Sequence, residues 1–363
     1  MEVHAEFLIV GAGIAGTSLA LELHKRGSYV EIIDAYNPLS SSRVAAGMMN
    51  PMVPRNVQKA WHCDAIYPSV FEYYEEWQSL FGVSEDEKFI HRIETLQVHK
   101  NEAHTKNWTK RSRQNGFTQH LTPVEPAETS EYGIPLPFGA AICHLSGKLD
   151  VSVFLEKASS YLHSRGVLIH SNTLNYNDLI FDSDEIIWKS PSGNRKYNKI
   201  VFAEGVKMIE NPWFSYLPLT VTGGDLIKFR IVGLPSRYIL KRKEWLVPLG
   251  NDLWIGGSTF HSGSLSTEPD EKDLNELMSI FREWIPETYT LEVIDHKRAP
   301  RPTINTHRPF MGEHPSKKGM YIYNGLGSKG SSLVSLLSPL YAEHLVNGVE
   351  LLPEVIISTD LGT

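Results

Sequence analysis

The run Gly11-Ala-Gly13-Ile14-Ala15-Gly16 is the first part of this 363-residue chain whose residue types and spacing fit a definite chemical task, the cradling of a pyrophosphate. Gly11 permits a tight turn, Gly13 lets the backbone approach a phosphate, and Gly16 lets a helix pack closely on a strand. The apolar run Phe7–Val10 precedes the glycines, and Leu19, Ala20 and Leu23 follow at helical spacing. A second strand, Tyr29–Ile33, ends at Asp34, whose carboxylate can accept hydrogen bonds from both ribose hydroxyls. The helix start supplies free N–H groups and a positive dipole end for the phosphates. An FAD or an NAD is compatible with this unit taken alone.

Three further runs offer close backbone approach. Ser41-Ser42-Arg43-Val44-Ala45-Ala46-Gly47-Met48 follows the second strand; Ala45, Ala46 and Gly47 would let the chain lie along a flat ring, and Ser42 could donate to phosphate. Ala203-Glu204-Gly205 follows the strand-like run Lys199–Phe202. Gly325-Leu-Gly327-Ser328-Lys329-Gly330 leads into Ser331 and Ser332, which are good N-cap types, and then into an apolar helix expected to start near Leu333. Proline inside a helix costs about 3 kcal/mol, so Pro339 is expected either in a first turn or at a kink.

Other chemistries find little support. The two cysteines, Cys63 and Cys143, form no CxxC and are expected to be reduced, buried thiols. The fifteen histidines show no HExxH spacing for a metal, and no GxSxG marks a nucleophile. A formal net charge of −7, with no basic run longer than Lys241-Arg242-Lys243, makes nucleic acid an unlikely general partner. No span reaches the roughly 20 apolar residues of a membrane helix, so a cytoplasmic protein is expected.

The remaining pattern places these runs. Helices are expected over Pro68–Phe81, Asn101–Gly116, Val151–Leu162 and Asp270–Trp284, the first with Phe71, Tyr74, Trp77 and Phe81 on one face. Phe89–His99 alternates like a single strand, and short strands are expected at Val167–Ile169, Leu226–Phe229, Leu246–Pro248 and Leu253–Ile255. Parallel α/β character at both ends encloses a mixed middle. The fold class is therefore α/β, a discontinuous Rossmann-like nucleotide-binding domain with a second, mixed or antiparallel β-sheet domain; the resemblance given below makes these the FAD-binding and substrate domains. The expected division gives 1–85, 145–215 and 296–363 to the first domain, and 86–144 and 216–295 to the second.

Taken in order along the chain, these motifs resemble the D-amino-acid oxidase superfamily of FAD-dependent oxidoreductases, which includes glycine and sarcosine oxidases. Further markers are Val247-Pro248 with Ile255-Gly-Gly-Ser-Thr259, and Arg301-Pro302 with Pro309-Phe-Met-Gly312. The spacing extended to Ala20 and Gly27 is similar to the longer FAD fingerprint. The resemblance implies non-covalent FAD held by Gly11, Gly13, Ile14, Ala15, Gly16, Asp34, Ala35, the Ser41–Met48 loop and Leu174, and also by Ala203–Gly205 and the Gly325–Ser332 run. It further implies that the closing helix aims its N-terminus at the flavin C2 carbonyl, where Lys329 would add a full positive charge.

Arg301 would hold a substrate carboxylate, with Arg298 as a rival. Trp245 stands where glycine oxidases carry a tyrosine, and Phe260 would line the same pocket. The implied reaction is oxidation of the C–N bond of a small amine or amino acid by hydride transfer to flavin N5, with O2 or another acceptor taking the electrons. The Ala-Gly-Met-Met-Asn-Pro and Gly-Leu-Gly-Ser-Lys-Gly segments are similar to a branch fused to a methyltransferase domain that acts on tRNA. Oxidative trimming of a modified tRNA base is therefore an alternative, and a non-catalytic flavin-bound partner or electron-transfer module is another.

Overall fold

Phe7, Leu8, Ile9 and Val10 are all buried because the first strand, Val3–Val10, lies between two parallel neighbours, Val30–Ile33 and Gly193–Phe202. That arrangement explains why the run is continuously apolar and does not alternate. The chain is described here from a computed structural model that covers residues 3–54, 56–128, 131–182 and 185–357. Leu168–His170 extends the parallel sheet beyond Val30–Ile33, and Lys317–Asn324 pairs with Gly193–Phe202 on the opposite side. Helices Ile14–Lys25, Val70–Leu80, Val151–Ser164 and Gly330–Asn347 share one core with this sheet, to which Leu19, Tyr74, Phe154 and Tyr341 contribute.

Glu31 breaks the apolar pattern of the second strand and is fully buried. Its carboxylate accepts from Arg195 Nε at 2.7 Å and Tyr197 Oη at 2.8 Å, with His170 Nε2 at 2.9 Å. A buried carboxylate is tolerable when its lone pairs are taken in this way.

The second lobe is a nine-stranded sheet. Its order runs His261–Ser262, Leu219–Arg230, Leu253–Gly257, Trp245–Gly250, Ile239–Lys241, Thr95–Val98, Ala140–Cys143, Leu121–Val124, with Glu292–Ile304 pairing Leu219–Arg230. Its pairings are antiparallel except that of Ile239–Lys241 with Thr95–Val98. Helix Glu271–Arg282 covers one face through Leu277 and Phe281, which pack with Phe229 and Trp254. The other face turns toward the nucleotide-binding lobe.

Several expectations need correction. Phe89–His99 is two strands: Ile90–Arg92 joins a three-stranded sheet with Met48–Met49 and Gly147–Leu149, whereas Thr95–Val98 belongs to the large sheet. The chain changes lobes between them, which alternation alone does not reveal. The polar helix is Glu102–Ser112, and Asn101 caps it by accepting from His104 N at 2.9 Å. The boundary expected at 296 falls inside strand Glu292–Ile304, whose pairing with Leu219–Arg230 is continuous apart from one bulge. Residues 358–363 of that expected segment lie outside the described residues.

The closing helix begins at Gly330, earlier than Leu333, with Lys329 at the N-cap position and no side chain capping it. Ser331 and Ser332 are therefore first-turn residues and not caps. Pro339 sits in mid-helix, beyond any first turn, and its carbonyl accepts from Arg26 Nη2 at 3.4 Å.

Candidate FAD and substrate cavity

The two lobes enclose one cavity of about 740 Å³ between the glycine-rich turn and the large sheet. Its floor is set by glycines that tolerate no side chain. A Cβ on Gly11, whose φ is +104°, would stand 2.5 Å from the Ala203 carbonyl oxygen, and one on Gly47 would stand 1.8 Å from that of Leu149. Helix Ile14–Lys25 starts at Gly13 with no side-chain cap from its own N-cap residue. Instead Ser42 Oγ, from the following loop, accepts from Ile14 N at 3.1 Å, which leaves its own proton free for an anion at the helix start. Asp34 ends the second strand, accepts from Ala12 N and Tyr36 N at 3.2 Å each, and faces the cavity.

Most of the residues expected at the cofactor line this one cavity: Gly11, Gly13, Ile14, Ala15, Asp34, Ala35, Ser41–Met48, Leu174, Ala203–Gly205 and Gly327–Ser332. Two do not. Gly16 packs under the turn, where a Cβ would meet Gly11 O at 1.9 Å, and Gly325 packs on Ile304, 2.1 Å from where its Cβ would stand. Both shape the cradle from behind. Two lining side chains are already committed. Ser41 Oγ donates to Pro300 O at 2.6 Å, and buried Glu204 accepts from Tyr176 Oη and Asn211 Nδ2 at 2.8 Å each. Burial raises the Glu204 carboxyl against the lowering effect of those two donors.

The large sheet supplies the roof. Arg301 and Arg298 lie three residues apart on an extended strand, so pleating sends them to opposite faces. Arg298 turns away from the cavity, where its guanidinium pairs with buried Asp225 and Asp273. Arg301 turns into the cavity. Its Nη1 donates to Ser258 Oγ at 3.2 Å and its Nη2 to Thr259 O at 3.1 Å, while the guanidinium lies 4.9 Å from the Phe260 ring centroid. Among the described residues no carboxylate pairs with Arg301, and burial pulls its pKa downward against the field of Asp225. Phe260 is not a core residue, since it is 73% exposed. Trp245 is half-buried on the cavity wall.

Lys329 is half-buried at the start of the closing helix. Burial lowers its pKa, the nearby Arg308 lowers it further, and Cys63 opposes them. Cys63 and Cys143 are free and buried, as expected, and burial pushes their thiols up to about 11 and about 12.

Residue patterns alone missed Gly224, Ser258, Thr259 and Lys241. Gly224 is needed because a Cβ there would stand 1.6 Å from Arg301 Nη2. The Gly223-Gly224 pair inside an otherwise strand-like run was the available signal for such a close approach.

A bare-backbone turn, a helix start with no cap from its own N-cap residue, a carboxylate closing the second strand and a small-residue loop fit FAD in chemistry and in space. Together with the two-lobe fold they define a flavin-dependent oxidoreductase. The family model described as FAD dependent oxidoreductase (DAO) matches residues 6–344, and the chain belongs to that family. The chain is 25% identical to the tRNA 5-methylaminomethyl-2-thiouridine biosynthesis bifunctional protein of Marinobacter nauticus, over 94% of this chain but 55% of that protein's length. It is 22% identical to a glycine oxidase of Pseudomonas aeruginosa, covering 94% of this chain and 95% of that one. L-proline dehydrogenase from P. horikoshii superposes with a TM-score of 0.82 at 17% identity, covering 97% and 96% of the two chains. Among the described residues no helix is long and apolar enough to cross a membrane.

Proposed function

We propose that the enzyme oxidises the C–N bond of a carboxylate-bearing amine, an amino acid or N-substituted glycine, anchored by Arg301. The observation that carries this reading is a guanidinium turned into the cavity, fixed by Ser258 and Thr259, with no carboxylate of the chain pairing with it among the described residues. A planar guanidinium held on one edge still offers N–H donors for two parallel bonds to a substrate carboxylate. FAD, when bound, accepts the hydride lost from the carbon next to nitrogen.

The chain's own groups do the rest. Arg301 fixes the carboxylate and hence the position of the neighbouring carbon, so that positioning carries much of the rate. Lys329 Nζ and the N–H groups at Gly330–Ser332 keep a positive potential at one end of the cavity. The lining carboxylates are spoken for: Asp34 by backbone N–H groups, Glu204 by Tyr176 and Asn211, and Glu244 by Lys243 at 3.0 Å. The substrate amine therefore sheds its proton to solvent before reaction and binds neutral.

Anaerobic titration with N-substituted glycines and D-amino acids tests the reading. Bleaching of the flavin band by one of them is the expected result, and a band that none of them bleaches refutes it. A second reading, trimming of a modified tRNA base, draws on the Marinobacter relative and on Lys207, Lys241 and Lys243 along the cavity wall. It predicts bleaching by a tRNA-borne carboxymethylamino group and not by free amino acids.

A further inference from the structure

The cavity face of the large sheet carries a second cation that the anchoring of one carboxylate does not use. Strand pairing sets Lys241 opposite Trp245, and Trp245 opposite Gly257, so the three form one row across the sheet. The Arg301 guanidinium rests on Ser258 and Thr259, the residues that follow Gly257. The Lys241 strand lies two strands away from that seat, a distance of about 10 Å. Trp245, on the strand between, lines the cavity together with Lys241 and Arg301.

Lys241 is half-buried, and among the described residues no carboxylate lies within ion-pair distance of its Nζ. Glu244, the carboxylate whose field reaches Lys241, is paired with Lys243 at 3.0 Å. Burial is the largest influence on the ammonium and draws it down to about 8, while Cys143 and Glu244 act in the opposite direction. Withdrawing a lysine from water without a partner is costly, and such sites are tolerated where an anion or ordered water completes them.

We propose that the cavity recognises an elongated amino dicarboxylate, with one carboxylate on Arg301, an apolar spacer along Trp245 and the second carboxylate on Lys241. This deepens the proposed C–N oxidation by naming the substrate class, and it rests on that reading only for the amine between the two acids.

The test uses the FAD-loaded protein and ligands that cannot be oxidised at nitrogen. Thioether dicarboxylates with graded methylene spacers, and the same molecules with the distal acid as a methyl ester, are titrated by flavin difference absorbance. The expected result is that one spacer length binds about ten- to a hundredfold tighter as the diacid than as the monoester, the usual worth of a hydrogen-bonded charge pair. Lys241→Met should collapse that ratio toward one, and Lys241→Arg should restore most of it. Equal binding of diacid and monoester in the wild type, or a ratio that Lys241→Met leaves intact, overturns the proposal, as does the absence of any spectral change. Because no ligand is turned over, these outcomes are independent of whether amines bleach the flavin.

Discussion

The floor and the roof of the cavity are built on opposite principles. The floor is backbone: Gly11, Gly13 and Gly47 work by lacking a Cβ, and the helix starts at Gly13 and Gly330 work through N–H groups. The roof is side chain: Arg301, Trp245 and Lys241 project from three strands of one sheet, and Phe260 from the loop between Leu253–Gly257 and His261–Ser262. A floor of that kind suits a constant ligand such as a pyrophosphate, because backbone donors change little with sequence. A roof of side chains can be retuned one residue at a time, which suits a ligand that differs from one enzyme to the next. Arg298 and Arg301 show the contrast within one strand, since the first ties the sheet to its covering helix while the second faces the cavity.

Substitutions can break or sharpen this division. The largest effect is expected from Arg301→Met, which removes the cation while leaving the floor intact. Losing one partner of a desolvated charge pair costs about 2–5 kcal/mol, so kcat/KM for a carboxylate-bearing substrate should fall by about two to three orders of magnitude with FAD content unchanged. Loss of FAD from that variant would erase the division. Arg298→Met should do the converse. It takes the guanidinium from Asp225 and Asp273, leaving each with a histidine, His296 at 2.9 Å and His261 at 2.5 Å, and should lower stability by about 3 kcal/mol, the lower end for a broken buried pair, in denaturant unfolding, with the KM of the residual folded enzyme unchanged.

Acid should loosen the roof before the floor. Burial and the charge of His104 hold His99, which directly follows strand Thr95–Val98 of the roof sheet, down to about 4 from 6.5. The unfolded chain therefore takes up a proton that the folded chain refuses, and stability falls by about 3 kcal/mol as pH drops from 6.5 to 4. For Glu31, beneath the floor, burial pushes upward, but His170, Arg195 and Tyr197 outweigh it and hold the carboxyl at about 2, below the ordinary 4.5. Its contribution, also about 3 kcal/mol, is complete above 4.5 and disappears as pH falls toward 2. Urea midpoints measured against pH should show the two windows, with His99→Gln flattening the upper one and Glu31→Gln the lower.

The smallest effect is expected from Gly224→Ala. The new methyl would stand 1.6 Å from the guanidinium and 2.6 Å from Thr259 O, so overpacking should cost about 1–3 kcal/mol of stability, and the displaced guanidinium should lower kcat/KM by about ten- to a hundredfold.

The same contrast decides what could be read in the residues beforehand. The floor was legible because its logic is local: a strand, glycines at fixed offsets, a helix and a closing carboxylate occur within residues 7–34. The roof was legible only where a resemblance pointed to single positions, such as Arg301 and Trp245. Gly224, Ser258 and Thr259 support Arg301 through strand register between segments far apart in the chain, and no local spacing encodes that register. The choice between Arg298 and Arg301 needed only the period-2 alternation of a strand, once Asp225 and Asp273 were seen to occupy one side. Ser331 and Ser332 misled because their type suits a cap, whereas the helix begins one residue before them, with Lys329 at the cap.

Anchoring at Arg301 would let a substrate carboxylate on the roof position the amine over the cofactor on the floor. The most direct test is anaerobic stopped-flow reduction of the wild-type flavin by one N-substituted glycine and by its carboxamide. The account predicts rapid bleaching by the acid and at least hundredfold slower bleaching by the amide at equal concentration. Equal rates for the two would contradict it.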